Sequence, residues 1–245
     1  MGGFAMLYDL ALVLGGGKFG SIALKAMMDK SRRVIVVDKD PNCHASRALR
    51  MVCSDPSKCG VSARLVVDDA VAYTINIIMG GNVPDIIVPA IPGNSMAMLF
   101  SRWLSKLGFL VEPDFEMLKS ASVEIPKKII LINNKNAATL VLSYAKDFIC
   151  SPWCEEPEVC PVTNERILDP VHSILAKMSF CSYNKVFRSK LVDKGVGVLD
   201  GKEVYSELFG LPKDLEKYAL CVGTACNCHG IITFLRVSKK SKVEI

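Results

Sequence analysis

The sequence predicts an α/β protein built on a doubly wound, mostly parallel sheet. Three observations predict it: short continuous apolar runs of the kind buried on both faces of a sheet, amphipathic helical stretches between them, and a glycine cluster directly after the first run. Half of the 245 residues are hydrophobic but only 7% are aromatic. Branched aliphatics and alanine must therefore do the packing, as in parallel strands covered by helices.

The elements follow in order. Residues 10–14 are a buried-type strand. Phe19, Ile22, Ala23, Ala26 and Met27 then recur at helical spacing and predict one covered helix face. Residues 34–37 form a second strand that ends in Asp38-Lys39-Asp40-Pro41, which completes a βαβ unit of about 30 residues. Residues 64–67 predict a third strand and 69–79 a helix. Residues 85–88 predict a fourth strand, followed by a loop over 89–94 and a helix to about Lys106. Residues 109–127 carry no clear period. Residues 128–132 read as a strand and 137–148 as a helix. The texture changes at Cys150, where three prolines and three cysteines fall within twelve residues. A helix is expected near 170–178 and a strand near 185–188. A short helix near 203–209 and a strand at 218–222 come next, before the turn-rich segment 223–230 and the apolar stretch 231–237. The expected division is a nucleotide-binding domain over residues 8–120 and a cysteine-rich α/β region over 121–245, either separate or continuous with the same sheet.

Gly15-Gly16-Gly17-Lys18-Phe19-Gly20 fits G-x-G-x-x-G between a strand and a helix. Gly15 permits a tight turn, Gly17 lets backbone approach a pyrophosphate, and Gly20 lets the helix pack closely on the strand. The helix start at Lys18 and Phe19 turns its amides and the positive end of its dipole toward a phosphate. Asp38, 18 residues beyond Gly20, stands where a carboxylate accepts the ribose hydroxyls and repels a 2′-phosphate. The expected domain is thus of Rossmann type and the expected cofactor NAD(H), with Lys39 beside Asp38 tempering the discrimination against NADP. Asn94, on the loop after the fourth strand, is either a nicotinamide-side contact or a turn and N-cap residue.

These same residues carry a resemblance. Residues 12–20 together with Val34-Ile35-Val36-Val37-Asp38-Lys39-Asp40-Pro41 resemble the TrkA-N family, the NAD-binding regulatory domains of potassium channels and transporters. Val67-Asp68-Asp69-Ala70 is similar to that family's Asp-Ala step after its third strand, which implies Asp69 as an adenine-side contact. The resemblance covers roughly the first 100 residues and does not extend to the cysteine-rich half.

Ten cysteines with no secretory signal favour metal or redox chemistry over a disulfide framework. Cys150, Cys154 and Cys160 are spaced C-x3-C-x5-C, and Cys226, Cys228 and His229 form C-x-C-H. Each set is one ligand short of a closed tetrahedral site, so the two are expected to share one metal centre. An iron–sulfur cluster and zinc are both admitted, as are a metal-free redox thiol set and buried structural cysteines. Cys226–His229 is expected where a strand end meets a helix start. Cys181 and Cys221 are further candidate ligands, with Cys221 more at home in a core; Cys43, Cys53 and Cys59 read as structural.

A net charge of +5, partly in the lysine-rich tail, gives no nucleic-acid signature, and no apolar stretch is long enough to span a bilayer. The expectation is a cytoplasmic NAD-binding oxidoreductase with a metal centre. The competing expectation is a non-catalytic NAD/NADH sensor with a structural zinc. The partners expected are the dinucleotide and a small-molecule or protein redox partner, with a homodimer left open.

Overall fold

A computed structural model describes residues 7–52, 62–151, 153–212 and 214–239; Cys53 and Cys59 lie outside them. In chain order the elements are β1 (Tyr8–Leu14), α1 (Lys18–Met28), β2 (Ser31–Asp38), α2 (His44–Val52), β3 (Ser62–Val67), α3 (Ala70–Met79), β4 (Ile86–Pro89) and α4 (Ser95–Lys106). Then come β5 (Phe109–Pro113), α5 (Phe115–Glu124), β6 (Ile130–Asn134), β7 (Thr139–Ser143), α6 (Val171–Ala176) and β8 (Tyr183–Arg188). The chain finishes with β9 (Lys190–Asp193), β10 (Val196–Asp200), α7 (Gly201–Phe209), β11 (Ala219–Ala225) and β12 (His229–Lys239). None of the described helices is long and apolar enough to cross a membrane.

The described residues form two compact units, one within residues 1–95 and 190–209, the other within residues 96–189 and 210–245. The break after Ser95 replaces the boundary expected at residue 120. The reason is pairing: β5, whose residues show no period, joins β12 in the second unit through Leu235↔Pro113 to Lys239↔Phe109.

The first unit holds a six-stranded sheet in the order β3-β2-β1-β4-β10-β9. β3, β2, β1 and β4 are parallel, with Leu14 level with Val37 on one side and Pro89 on the other. β10 is antiparallel to β4, and β9 antiparallel to β10. Ala11, Val13, Val34, Val36 and Val88 pack with Ala23, Leu24 and Met27 of α1. The covered face of α1 is Gly20, Ala23, Leu24, Met27 and Met28, one residue out of step with the stripe expected from Phe19, which is 60% exposed. Gly20 decides this phase, because its close approach to Gly15, just beyond β1, fixes which side of the helix faces the sheet.

The second unit is built on a separate sheet, β6-β7-β12-β11-β8, in which β8 and β11 run parallel and the other neighbours antiparallel. The expectation of one mostly parallel, doubly wound sheet is therefore corrected to a mixed α/β protein with two mixed sheets. Residues 139–143, expected to be helical, form β7. Thr139-Leu140-Val141-Leu142 suits a strand through its β-branched residues, and β12 supplies the partner through His229↔Ser143 to Thr233↔Thr139. Phe234, Ile232, Leu140, Leu142, Val171 and Leu175 are buried at the centre of this unit. Cys181 and Cys221, weighed as metal ligands, are instead joined in a disulfide, buried at 7% and 0% exposure.

Candidate functional site

Two clusters of chemistry-bearing residues stand out, one in each unit. In the first, β1 ends at Leu14, and Gly15 turns with φ +97°, a conformation that costs glycine little. A Cβ there would also lie 2.9 Å from the Ala90 carbonyl oxygen. Gly17 is the N-cap of α1 and no side chain caps it. A Cβ on Gly17 would meet nothing within 4 Å, whereas one on Gly20 would lie 1.9 Å from the Gly15 carbonyl oxygen. The three motif glycines therefore divide their tasks: Gly15 turns, Gly20 brings helix against loop, and Gly17 borders open space.

Asp38, at the end of β2, is tied into the same loop. Its Oδ2 accepts the Gly16 N–H at 2.6 Å and its Oδ1 the Asp40 N–H at 2.8 Å. A carboxylate has about four lone-pair positions, so two remain for a ligand's hydroxyls. The segment after β2 folds back onto the glycines: the Ala45 N–H donates to the Gly16 carbonyl at 2.8 Å, and buried Cys43 packs where a Cβ on Gly16 would collide with it. Lys39 and Asp69 pair with each other at 2.9 Å, and Asp69 caps α3 by accepting the Ala72 N–H at 2.9 Å. Lys18 is exposed at the first position of α1. Asn94 is buried just ahead of α4.

In the second unit, Cys226, Cys228 and His229 bring their ligand atoms within 4.8 Å of one another. The Cys226 and Cys228 sulfurs are 3.9 Å apart, and His229 Nδ1 lies 3.9 Å from the first and 3.3 Å from the second. They occupy the turn between β11 and β12, not the helix start expected from sequence. The turn is closed by the Cys226 N–H donating to the His229 carbonyl at 2.9 Å. It is held from outside by α6, whose Val171 and His172 amides donate to the Asn227 and Cys226 carbonyls. Gly230 permits this approach, since a Cβ there would lie 2.7 Å from Val171 Cγ1.

The loop bearing Cys150, Cys154 and Cys160 belongs to the same neighbourhood. Glu156 is hydrogen-bonded to the Cys226 side chain, Cys160 feels the charge of His229, and Cys154 acts on Cys228. Backbone amides point at the sulfurs: Glu156 N–H donates to Cys154 Sγ at 3.4 Å and His229 N–H to Cys226 Sγ at 3.4 Å. Cys160 is held by the Thr163 side chain and by the Thr163 and Val162 amides. Glu156 adopts φ +52°, a left-handed conformation unusual for a residue other than glycine and a sign of local constraint.

These contacts set the charges. The hydrogen bond with Cys228 is the largest influence on Cys226; with help from His229 and Glu156 it outweighs burial and holds the thiol down at about 3. The same bond, burial and the neighbouring negative charge push Cys228 far above its ordinary value. Its hydrogen bond with Cys226 raises His229 against the effect of burial. Burial, then Cys226, raises Glu156 to about 7. Burial raises Cys150. Burial acts the same way on Cys160, but the hydrogen bonds from Thr163 and Val162 prevail and lower it. One thiolate and one thiol thus share a proton beside an imidazole, and a soft cation would displace that proton and satisfy all three groups.

Sequence reasoning picked out the six cysteine and histidine positions but missed Glu156, although it lies inside the C-x3-C-x5-C segment. The neighbouring sulfur-directed amides belong to the folded turn and leave no mark on composition.

Two family models match the chain. One, described as "Uncharacterized protein, C-terminal domain", covers residues 96–238, and its N-terminal counterpart covers residues 10–92. The two ranges meet near the first crossing between the structural units, after Ser95, while residues 190–209 of the first unit fall within the C-terminal range. A relative from Archaeoglobus fulgidus, named only "Uncharacterized protein", is 28% identical over 226 residues, which is 92% of this chain and 98% of that protein. The resemblance to the TrkA-N family is overturned by these matches: no TrkA-N or Rossmann family model is found. A G-x-G-x-x-G loop with a distal acid reports local loop geometry, and unrelated families can share it.

Proposed function

We propose that this chain, which belongs to the AF_1314_C family, is an NAD(H)-binding oxidoreductase whose second unit carries a thiolate-bound metal centre. The observation that supports nucleotide binding is the contrast among the glycines. Gly20 is needed for packing, but among the described residues nothing within 4 Å of a Cβ at position 17 calls for a glycine there. A pyrophosphate against the uncapped start of α1 accounts for it. The parallel order β3-β2-β1-β4 supports a Rossmann-type reading of this half, with the loop at the carboxyl ends of β1 and β4, where strand order reverses. Asp38 would take the ribose hydroxyls and turn away a 2′-phosphate.

What supports oxidoreduction is that the glycine loop and the Cys226, Cys228 and His229 cluster occur in one chain. The nicotinamide would carry the hydride, and the protein would position it and exclude water.

Calorimetric titration tests the reading. NADH should bind at least about tenfold more tightly than NADPH, a gap of about 1.4 kcal/mol, and Asp38→Ala should narrow it. Equal binding of the two by the unaltered protein removes the role given to Asp38. Failure of either to bind removes the nucleotide reading.

A further inference from the structure

We infer that the thiolate centre holds a single zinc-class ion rather than an iron–sulfur cluster, bound by Cys226, Cys228 and His229 through Nδ1, with Cys160 as the fourth ligand. The inference rests on the metal half of the proposed function and is independent of the nucleotide half.

The distances carry it. Two thiolates about 2.3 Å from a tetrahedral ion lie about 3.8 Å apart, and a thiolate and an imidazole nitrogen about 3.6 Å apart. The observed Cys226–Cys228 separation is 3.9 Å, and the two sulfur–nitrogen separations, 3.9 and 3.3 Å, straddle the second value. The three atoms already form one face of a single-ion tetrahedron. A polynuclear cluster divides its protein ligands among its irons, whereas three ligand atoms converging on one point suit a single ion. A nitrogen ligand on a tetrahedral thiolate site also favours zinc.

Cys160 is the best fourth ligand because it stands on the adjoining loop near enough to His229 to feel its charge, just outside the group of three. It is buried and receives hydrogen bonds from Thr163 and from the Val162 and Thr163 amides. Its backbone is pinned on both sides, Cys160 N–H to the Glu165 carbonyl at 2.9 Å and Asn164 N–H to the Cys160 carbonyl at 2.8 Å. Asn164 completes this tight turn at φ +56°, which asparagine tolerates well. Cys150 and Cys154 are hydrogen-bonded to each other, which sets them apart as a pair beside the ion.

The test uses the full chain, purified anaerobically. Elemental analysis should find one zinc per chain, with no inorganic sulfide and no broad visible absorption. Replacing the ion with cobalt(II) should give intense tetrahedral ligand-field bands with sulfur-to-cobalt charge transfer. Cys160→Ser should weaken zinc binding, measured against a chromophoric chelator, by about 100-fold or more and reduce the charge-transfer intensity, whereas Cys150→Ser should leave both nearly unchanged. Because a cysteine variant can misfold, circular dichroism should be recorded alongside, and Cys160→His, which restores a ligand, should recover the affinity lost in the serine variant. Several irons with sulfide would overturn the single-ion assignment, and unchanged zinc affinity in Cys160→Ser would overturn the fourth ligand. A protein that takes up neither zinc nor iron would overturn this inference and the metal half of the proposed function together, while leaving the NADH titration to stand or fall alone.

Discussion

The glycine loop allows stability and nucleotide binding to be separated by two substitutions three residues apart. Gly20→Ala places a methyl group 1.9 Å from the Gly15 carbonyl oxygen and 2.8 Å from its carbon. That is more than about 1 Å short of van der Waals contact, and the obstacle is backbone, which cannot rotate away. Overpacking of this kind costs about 1–3 kcal/mol or more. For a chain of this size each kcal/mol lowers Tm by about 2–4 °C, so Gly20→Ala should melt roughly 2–12 °C below the unaltered protein. Gly17→Val is the opposite case. The position has φ −65°, accessible to any L residue, and its Cβ meets nothing within 4 Å. The stability cost should stay under about 1 kcal/mol, the scale of an N-cap exchange. The branched side chain would, however, fill the space assigned to the pyrophosphate. Losing one charge-assisted hydrogen bond, about 1.5–3 kcal/mol, weakens NADH by about 10- to 150-fold. Melting curves by circular dichroism without ligand, and NADH titration of each folded variant, measure both effects. A folded Gly17→Val protein that binds NADH like the parent would refute the phosphate assignment. A Gly20→Ala protein as stable as the parent would refute the close packing of α1 on the loop.

Two further outcomes follow from the second unit. The Cys181–Cys221 disulfide spans 40 residues, and closing a loop of that length contributes about 4 kcal/mol in the chain-entropy account. Replacing both cysteines by alanine should therefore lower Tm by about 8–16 °C, and a shift within about 2 °C would show that the bridge is not formed in solution. Burial, followed by the charge of Arg188, lowers the His172 imidazole below its ordinary value. The unfolded chain then takes up this proton first as pH falls. The stability linked to His172 is full above about 6.5, the unfolded value, and declines as pH drops toward the folded one. Titration of the His172 ring protons by NMR, assigned with His172→Gln, should give a midpoint below 6.5; a midpoint above it would contradict the burial of the ring.

What was legible in the sequence was local. The run from β1 through Gly15, Gly17 and Gly20 to Asp38 is one contiguous βαβ segment, so its pattern can be read within a short stretch of sequence. The two cysteine segments were likewise recognisable, because ligand spacing within a turn is a short-range property. The helix face of α1 was misjudged by one residue because its phase is set by Gly20 against Gly15, a contact between backbones with no hydrophobic signature. Residues 139–143 were misread for a related reason: short apolar runs satisfy helix and strand alike, and only pairing with β12, some 90 residues away in the chain, decides between them.

The sequence by itself determined the local features of this protein: which glycines stand at the turn after β1, which acid ends β2, and which cysteines cluster in short segments. Tertiary structure alone decided how many sheets there are, where the chain leaves one unit for the other, that Cys181 and Cys221 bond to each other, and that Cys226, Cys228 and His229 share a hairpin turn. The physical reason is that antiparallel pairing and disulfide choice depend on contacts between distant segments. Several partners satisfy such pairing equally well until burial of the whole core selects one.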